Sequence, residues 1–362
     1  MPNRYGFAPQ SIAVVLGTRP EIIKLAHIVR LLEDAAFVIH TGQHYDPKLS
    51  GSFFPEMGLG EPDVFLGVGG MSRGAQIGIG VQKMDELFAE RQPAAVIVQG
   101  DTNAVLAGAV AANAREVPIC HIESGLRSFD RAMPEEHNRV LTDHLSDVCC
   151  APTSVNVTNL ASEGIDGARV SQTGNTIVEA VLELLPDEAE QKKMASVHDV
   201  EPGGFVLSTF HRPENVDDPA KYRTILEQLA ALDLPVVLPL HPRSVKRAKE
   251  HGLGSLLAKI RVVEPIGYRE FLGLEAAAAL LVSDSGGVQE EASIVKTPLV
   301  VVRNSTERPE VIGTFATRVS PGPGIVEAAQ EMLARDLTGY HTPYGDGTAS
   351  EKSLQALADA IL

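Results

Sequence analysis

Short, nearly continuous apolar runs alternate along the chain with longer segments whose apolar residues follow a helical period. The run SIAVVLG at residues 11–17 is typical of a strand that is buried on both faces. An amphipathic segment follows it, and Pro20 suits the first turn of a helix there. Because strand–helix units of this kind recur, the pattern predicts an α/β fold with doubly wound parallel sheets.

The same pattern locates further strands and helices. It predicts strands at residues 37–40, 64–66, 94–99, 117–122, 147–151, 204–208, 236–240, 260–263, 279–283 and 299–302. Helices are expected around residues 76–90, after Asp101, after Pro134 and from Ala349. At 362 residues the chain exceeds the size at which one core keeps growing, so two domains are expected. The pattern restarts after the polar stretch 186–202, which places a boundary there or near Gly174.

Carboxylates follow the predicted strands within residues 98–139. Asp101 comes after one strand, Glu123 after the next, and Glu135 and Glu136 precede a helix. Since loops at the carboxyl ends of parallel strands form a ligand crevice, we expect these carboxylates to converge on one site. The alternative is that Asp101 only caps a helix, and that Glu135 and Glu136 only begin one after Pro134.

The segment SDSGGVQEE at residues 283–291 is the clearest phosphate signal. A predicted strand runs into a Ser-Gly-Gly turn that opens a helix, where free N–H groups and the positive helix end can bind a diphosphate. It is neither a Walker A motif nor a GxGxxG dinucleotide motif. Glu291 is placed to accept hydrogen bonds from ribose hydroxyls, and Phe271 to stack on a base. The alternative is a helix that is merely capped by Asp284 or Ser285.

Composition narrows the classes of function. The net charge of −16 argues against a nucleic-acid-binding surface, and no apolar run has the length of a membrane-spanning helix. Residues 1–10 lack the features of a signal peptide. The chain contains three cysteines, Cys120, Cys149 and Cys150. Their number is odd and their spacing does not suit a metal site, so a reducing cytoplasm is expected.

Seven motifs together resemble the non-hydrolysing UDP-N-acetylglucosamine 2-epimerases, in the same order and over nearly the whole chain. They are Gly17-Thr18-Arg19-Pro20-Glu21, Gly100-Asp101-Thr102, residues 121–127 (HIESGLR), Pro134-Glu135-Glu136, Thr173-Gly174-Asn175-Thr176, Asp284-Ser285-Gly286-Gly287 and Thr306-Glu307-Arg308-Pro309-Glu310. The resemblance implies two Rossmann-like domains in a glycosyltransferase-B-like arrangement. Residues 1–174 would form the first domain, with the helix 349–362 packed back on it, and residues 175–348 the second, UDP-binding domain. It also implies a homodimer.

The resemblance assigns roles residue by residue. It implies that Asp101, Glu123, Glu135 and His211 are catalytic. The residues that it assigns to the substrate and its UDP moiety are Arg19, Lys24, His241, Phe271, Ser285, Gly286, Gly287, Glu291 and Arg308. Gln43, His44 and Glu136 match an effector site of the family. Where better-known bacterial members carry a basic residue after the Gln-His pair, this chain has Tyr45 followed by Asp46, which predicts weak or absent activation by the substrate.

The resemblance implies elimination of UDP to a 2-acetamidoglucal and re-addition, without a metal ion or another cofactor. Alternatives remain open. The motif that contains Phe210-His211-Arg212 is also associated with relatives that act on modified UDP-2-acetamido sugars. These sugars are of the diacetamido-uronate or N-acetylfucosamine type. A hydrolysing epimerase that releases N-acetylmannosamine, a retaining glycosyltransferase and a non-catalytic sugar-nucleotide sensor are the other candidates.

Overall fold

The computed structural model describes residues 1–43, 53–240 and 242–362, and the chain forms two compact units. Unit 1 comprises Met1–Ala180 and Tyr344–Leu362, and unit 2 comprises Val181–Pro343. The chain passes from unit 1 to unit 2 inside the helix Ile177–Leu184. The breaks therefore fall a few residues away from those expected after residues 174 and 348.

The sheet of unit 1, within the described residues, has seven parallel strands in the order β3-β2-β1-β4-β5-β6-β7. The strands are β1 Ile12–Leu16, β2 Ala36–His40, β3 Val64–Phe65, β4 Ala95–Gln99, β5 Ile119–Ile122, β6 Val148–Ala151 and β7 Val170–Gln172. The central strands β1, β4, β5 and β6 are buried along their whole length, as their apolar sequences predict.

Within the described residues, the helices that precede the crossover to unit 2 are α1 Arg19–Leu32, α2 Phe53–Glu56, α3 Arg73–Arg91, α4 Asn103–Ala114, α5 Pro134–Leu145 and α6 Ser154–Ser162. The crossover itself lies inside α7 Ile177–Leu184. Helix α4 is built mainly of alanine, glycine and valine and is largely buried. A Cβ at Gly108 would lie 3.2 Å from side-chain atoms of both Val15 and Val98, so a small residue is needed for α4 to pack closely on the sheet.

The sheet of unit 2 repeats the design with six parallel strands among the described residues, in the order β10-β9-β8-β11-β12-β13. The strands are β8 Val206–Thr209, β9 Val236–Pro239, β10 Arg261–Val263, β11 Leu280–Ser283, β12 Leu299–Val302 and β13 Ala316–Val319. The helices are α8 Glu188–Val197, α9 Pro213–Val216, α10 Pro219–Ala230, α11 Pro242–Glu250, α12 Gly254–Leu257, α13 Tyr268–Ala277, α14 Gly286–Val295 and α15 Ile325–Leu333.

The C-terminal helix α16, Ala349–Ile361, belongs to unit 1, where it contacts α1 and β6. Glu179 anchors its first turn, since its carboxylate accepts hydrogen bonds from the amide (2.7 Å) and hydroxyl (2.8 Å) of Ser350. Acidic groups are favourable at this end of a helix because the orphan N–H groups point toward them.

Strand order reverses once in each sheet, and both reversals mark the expected ligand crevices. Strand β1 lies between β2 and β4, and β8 lies between β9 and β11. Ligands of open parallel sheets bind outside the carboxyl ends of the strands at such a switch point. In unit 1 the turns at this point are residues 17–21 and 100–102, and in unit 2 they are residues 210–213 and 284–287.

The predicted fold class, two Rossmann-like parallel-sheet α/β domains, is confirmed. The sequence reading missed β7 and β13, which are short edge strands with half-exposed residues and therefore lack a continuous apolar run. Within the part of the chain that the structure describes, no helix combines the length and apolar character needed to span a membrane.

Candidate active site

The turn after β1 is fixed by the carboxylate of Glu21, which is almost fully buried in the first turn of α1. Glu21 Oε2 accepts hydrogen bonds from the Gly17 amide (3.0 Å) and the Thr18 hydroxyl (2.7 Å). Its Oε1 accepts a hydrogen bond from the Thr102 hydroxyl at 2.9 Å. One side chain therefore joins the turns after β1 and β4, the two strands at the switch point.

Burial raises the pKa of Glu21 to about 7, and the hydrogen bonds from Thr18, Thr102 and Gly17 oppose that rise. The neighbouring Arg19 is half-buried at the start of α1. Burial lowers the pKa of its guanidinium, and the charge of Glu56 opposes the change. Arginine nevertheless stays charged at neutral pH, so Arg19 presents a cation at the carboxyl end of β1.

Lys24 on α1 and Glu123 after β5 form a buried ion pair. Lys24 Nζ lies 2.6 Å from Glu123 Oε2, and the two side chains are 5% and 4% exposed. Gln99, the last residue of β4, donates a hydrogen bond from Nε2 to the same carboxylate oxygen. Glu123 has a φ of +67°, which costs a residue with a side chain about 1–3 kcal/mol. Its carboxylate is thus set beside a cation by a strained turn.

Asp101 pairs with Arg139 instead of capping α4. The cap of α4 is Thr102, whose Oγ1 accepts a hydrogen bond from the Val105 amide at 3.4 Å. Asp101 Oδ2 accepts a hydrogen bond from Nη2 of Arg139, which is almost fully buried on α5. The interpretation of Asp101 as a helix cap alone is therefore wrong, and its carboxylate is oriented by a fixed guanidinium.

Glu135 and Glu136 have different surroundings although they are adjacent in the first turn of α5. Glu136 is buried, and Arg139 Nη1 donates a hydrogen bond to its Oε2. Glu136 also accepts hydrogen bonds from the amide (2.9 Å) and hydroxyl (2.8 Å) of Ser128 and from the Phe129 amide (2.8 Å). It therefore fixes the loop between β5 and α5, whereas Glu135 is exposed. Both residues begin α5, as the alternative interpretation expected.

Gln43 contacts the start of α4, where its Oε1 accepts a hydrogen bond from the Ala104 amide at 3.0 Å. Gly17 permits this arrangement, because a Cβ there would lie 2.3 Å from the Thr41 hydroxyl and 3.2 Å from Gln43 Cβ. Gln43 thus lies close to the Asp101 turn. The other candidate residues His44, Tyr45, Asp46 and His241 lie outside the described residues.

In unit 2, Asp284 after β11 organises the turn that follows β8. Its Oδ2 accepts hydrogen bonds from the Arg212 amide (3.0 Å) and from Asn215 Nδ2 (2.9 Å), and its Oδ1 accepts one from the His211 amide (3.2 Å). Burial raises the pKa of Asp284, but the hydrogen bond and charge of His211, with the bonds from Asn215 and Arg212, hold it below its ordinary value. Asp284 is therefore an ionised acceptor for the β8 turn.

His211 is oriented by Asp284 while most of its ring stays accessible. Its Nδ1 lies 3.1 Å from Asp284 Oδ1, and its side chain is 64% exposed. A carboxylate that faces one ring nitrogen fixes the orientation of an imidazole. This arrangement suits the predicted role of His211 beside an anionic group.

The N-terminus of α14 presents the glycine turn. Ser285 is the cap residue and its side chain makes no capping hydrogen bond, so capping alone does not explain the motif. A Cβ at Gly286 would lie 2.8 Å from Arg308 Nη1 and 2.9 Å from Glu307 Oε1, so a side chain there would displace the ends of both residues. Gly287 follows in the same first turn. Orphan N–H groups and the helix dipole make this turn suited to an anion.

Arg308 is fixed beside this turn by two carboxylates. Its Nε lies 2.7 Å from Glu290 Oε1, and its Nη1 donates a hydrogen bond to Glu307 Oε1. Glu307 also accepts a hydrogen bond of 2.7 Å from Nη2 of the fully buried Arg303. The guanidinium of Arg308 is therefore held at the start of α14 by a buried charge network.

Glu291 and Tyr268 form a buried pair behind the glycine turn. The Tyr268 hydroxyl donates a hydrogen bond of 2.7 Å to Glu291 Oε1. Burial, followed by the charge of Glu291, raises the pKa of Tyr268 well above its ordinary value, so the phenol stays a donor. Phe271, on the same helix as Tyr268, is half-buried. Ribose binding by Glu291 and base stacking by Phe271 stay predictions.

Sequence reasoning missed residues that orient the predicted ones: Glu21, Gln99, Arg139, Tyr268 and Asp284. Glu21 and Asp284 stand inside motifs that were recognised, so their position next to a strand end was a usable signal. For Gln99 the only signal was its place at the end of a predicted strand. For Arg139 it was its place at the end of the carboxylate-rich stretch. Among the residues described, no group of three or more His, Cys, Asp and Glu side chains is placed to hold a metal ion.

Comparison with known proteins assigns this geometry to a family. The chain matches the family model described as UDP-N-acetylglucosamine 2-epimerase over residues 32–358. It is 40% identical to the UDP-N-acetylglucosamine 2-epimerase of Methanocaldococcus jannaschii over 359 residues, which cover 96% of this chain and 98% of the relative. It is 37% identical to the UDP-2,3-diacetamido-2,3-dideoxy-D-glucuronate 2-epimerase of Pseudomonas aeruginosa, with coverage of 96% and 99%.

Among solved structures, the fold is similar to the crystal structure of the Methanocaldococcus jannaschii UDP-GlcNAc 2-epimerase in complex with UDP-GlcNAc and UDP. The TM-score is 0.88 at 40% identity, and the match covers 96% of this chain and 99% of that one. Sequence and fold therefore lead to the same group of enzymes.

Proposed function

This chain belongs to the UDP-N-acetylglucosamine 2-epimerase family, and from that premise we propose that it interconverts UDP-N-acetylglucosamine and UDP-N-acetylmannosamine without hydrolysis. One observation carries the choice of substrate. The archaeal relative of that name is 40% identical over nearly the whole of both chains, and its structure contains UDP-GlcNAc and UDP. The protein is accordingly an isomerase.

Inversion at carbon 2 of the sugar is difficult because no neighbouring carbonyl acidifies its proton. Elimination avoids this difficulty. The bond between the anomeric carbon and the diphosphate oxygen breaks and UDP leaves with the electron pair. A base takes the proton from carbon 2, and a double bond forms between carbons 1 and 2. UDP adds back to the bound 2-acetamidoglucal while a proton returns to the opposite face of carbon 2.

The groups of unit 1 suit the proton transfers and the positive charge that develops on the sugar ring. We assign those roles to Asp101, Glu123 and Glu135. Glu123 is in contact with the Lys24 ammonium and Asp101 with the Arg139 guanidinium, so each carboxylate has a defined orientation. Positioned acid–base groups contribute roughly 10² to 10⁴ in rate. Arg19 supplies a cation for the diphosphate.

The groups of unit 2 suit the UDP moiety. We assign the diphosphate to the N-terminus of α14, at Ser285, Gly286 and Gly287, with His211 and the Arg308 guanidinium as further ligands, and the ribose to Glu291. Fixed donors and cations stabilise the charge that develops on a leaving diphosphate. Phe271 is assigned to the uracil. The scheme calls for no metal ion or nicotinamide, and treatment with a chelator is expected to leave the rate unchanged.

A second substrate is supported by the 37% identity to the Pseudomonas aeruginosa epimerase, which is named for a diacetamido uronate. The same elimination would serve that sugar, because the reacting atoms are unchanged. Comparison of kcat/KM for the two UDP-sugars decides between them. A higher value for the diacetamido uronate would replace the proposed substrate and keep the proposed reaction.

We also propose that the protein is a cytoplasmic homodimer. The family resemblance supports the dimer, and light scattering of the purified protein tests it. The three cysteines are buried and free, which agrees with a reducing compartment. An effector site is proposed at Gln43, His44 and Glu136, and Tyr45 predicts weak or absent activation there. The prediction would be contradicted if pure UDP-N-acetylmannosamine reacted only after a lag, and if traces of UDP-N-acetylglucosamine abolished that lag.

Proton NMR of UDP-N-acetylglucosamine with the protein in heavy water tests the main proposal. We expect UDP-N-acetylmannosamine to form with deuterium at carbon 2, in a mixture that favours the gluco sugar. Free N-acetylmannosamine and UDP would instead reveal a hydrolysing enzyme. Epimerisation with the original proton retained at carbon 2 would exclude the elimination.

A further inference from the structure

A buried ion pair on β5 and α5 contacts the backbone of the turn that carries Asp101. His121 on β5 and Asp143 on α5 have fully buried side chains, and His121 Nδ1 lies 2.6 Å from Asp143 Oδ1. His121 Nε2 lies 2.8 Å from the carbonyl oxygen of Gly100. The imidazole therefore links α5 to the residue that precedes Asp101.

The second oxygen of Asp143 reaches the turn that carries Glu123. Asp143 Oδ2 accepts a hydrogen bond of 3.1 Å from the amide of Gly125, two residues after Glu123. Gly125 has a φ of +81°, and a Cβ there would lie 2.5 Å from the Asn156 carbonyl oxygen, so this path of the backbone requires glycine. The same Asp143 oxygen lies 2.7 Å from Arg127 Nη1. One carboxylate and one imidazole thus fix both turns.

Both ring nitrogens of His121 face hydrogen-bond acceptors. The Gly100 carbonyl oxygen can only accept, so Nε2 carries a hydrogen. Burial raises the pKa of Asp143, but the charges and hydrogen bonds of His121 and Arg127 outweigh burial and hold it below its ordinary value. A hydrogen also lies between Nδ1 and Asp143 Oδ1, because two bare acceptors would repel each other at 2.6 Å.

Neighbouring groups balance the charges of this pair. Arg127 Nη2 lies 2.6 Å from Glu163 Oε2, so the Arg127 guanidinium faces the carboxylates of both Asp143 and Glu163. On the neighbouring strand β6, burial raises the pKa of the Cys149 thiol, which stays neutral. Arg169 donates a hydrogen bond of 3.3 Å from Nη2 to the Asp143 carbonyl oxygen. The Asp143 carboxylate is therefore not an isolated buried charge, which would be far more costly.

We infer that the His121–Asp143 ion pair positions Asp101 and Glu123 for the proposed epimerisation. Neither residue needs to touch the substrate, because each acts through the backbone of a turn. The role given to the two carboxylates rests on the proposed function. A displacement of about 1 Å at a reacting group can lower a rate about 10²-fold. A charged clamp on Gly100 and Gly125 limits such displacement.

The Asp143→Asn variant tests the positioning role, because it keeps the shape and removes the charge. We expect kcat to fall about 10²-fold, while KM and the Kd for UDP change little, since most of the groups assigned to UDP belong to unit 2. Asp147→Asn is the matched control: Asp147 accepts a hydrogen bond of 2.8 Å from the Ile119 amide at the opposite end of β5. Wild-type kcat in Asp143→Asn, or an equal fall in both variants, would overturn the inference.

NMR of ¹⁵N-histidine-labelled wild-type protein tests the ion pair independently of any variant's folding. Its His121 signals are assigned by their loss in His121→Gln, and we expect Nε2 to carry a hydrogen and Nδ1 to share one with Asp143. A tautomer without a hydrogen on Nε2, in an enzyme that epimerises UDP-N-acetylglucosamine, would overturn the inference alone. If the wild type has no epimerase activity, the proposed function fails, and the positioning role fails with it.

Discussion

Lys24 Nζ lies 2.6 Å from Glu123 Oε2 although both side chains are almost fully buried. Taking two charges out of water costs several kcal/mol per ion, and mutual attraction offsets this only when the geometry is good. The Gln99 amide adds a hydrogen bond to the same carboxylate oxygen. A pair of this kind adds little net stability, so its position at the carboxyl end of β5 points to a chemical role for Glu123.

Breaking this pair from one side is expected to destabilise the protein strongly. Lys24→Met leaves the Glu123 carboxylate buried without its cation, which costs about 3–5 kcal/mol of unfolding free energy. The double variant Lys24→Met/Glu123→Gln should recover most of that loss in urea unfolding, because both charges are gone. Arg115→Met is the control, since its pair with Asp85 is exposed to solvent and adds much less stability than a buried pair. Equal losses in Lys24→Met and the control would contradict a buried pair.

Removal of the charge from either carboxylate is expected to suppress turnover without loss of UDP binding. Glu123→Gln and Asp101→Asn keep the shape of each side chain, and each should lower kcat roughly 10²- to 10⁴-fold. The Kd for UDP, measured by calorimetry, should stay near that of the wild type. Asp85→Asn is the control for a carboxylate far from the switch point. Near wild-type rates in both variants would show that the site has been assigned to the wrong residues.

The sequence located most strands because a strand buried on both faces leaves a continuous apolar run, as in Ile12–Leu16. The edge strands Val170–Gln172 and Ala316–Val319 left no such run, since their residues are largely half-exposed or exposed. Short strands of this kind are defined by pairing with a neighbour, which a local pattern does not encode.

The motifs likewise indicated which residues stand at the strand ends, but not what each one contacts. Lys24 was a candidate for the substrate, and its partner Glu123 lies 99 positions away. Asp101 could be interpreted as a helix cap because its partner Arg139 lies 38 positions away. Contacts at such separations depend on the order of strands in the sheet, so the charge state and orientation of a site residue emerge only from the fold.

Glu291→Gln is expected to weaken the binding of UDP about ten- to a hundred-fold, if its carboxylate accepts hydrogen bonds from the ribose. Such a charged hydrogen bond is worth about 1.5–3 kcal/mol, at roughly 1.4 kcal/mol per factor of ten. With 2′,3′-dideoxy-UDP the wild type and the variant should bind alike, because the hydroxyls are absent. The exposed Glu331→Gln is the control. An unchanged difference with the dideoxy ligand would show that Glu291 acts on the fold and not on the ribose.

The stability of the protein should depend on pH through Glu21. Burial raises its pKa from 4.5 to about 7, so the folded state binds more protons than the unfolded state between these values. The contribution of Glu21 is therefore fully present below pH 4.5 and is lost as pH rises through about 7. At about 1.4 kcal/mol per pKa unit, the loss is about 3 kcal/mol.

Urea unfolding of wild type and Glu21→Gln measures this loss, because every other titrating group cancels in the difference. Relative to the wild type, the variant should gain stability as pH rises from 4.5 to 8; a constant difference would mean that Glu21 titrates normally.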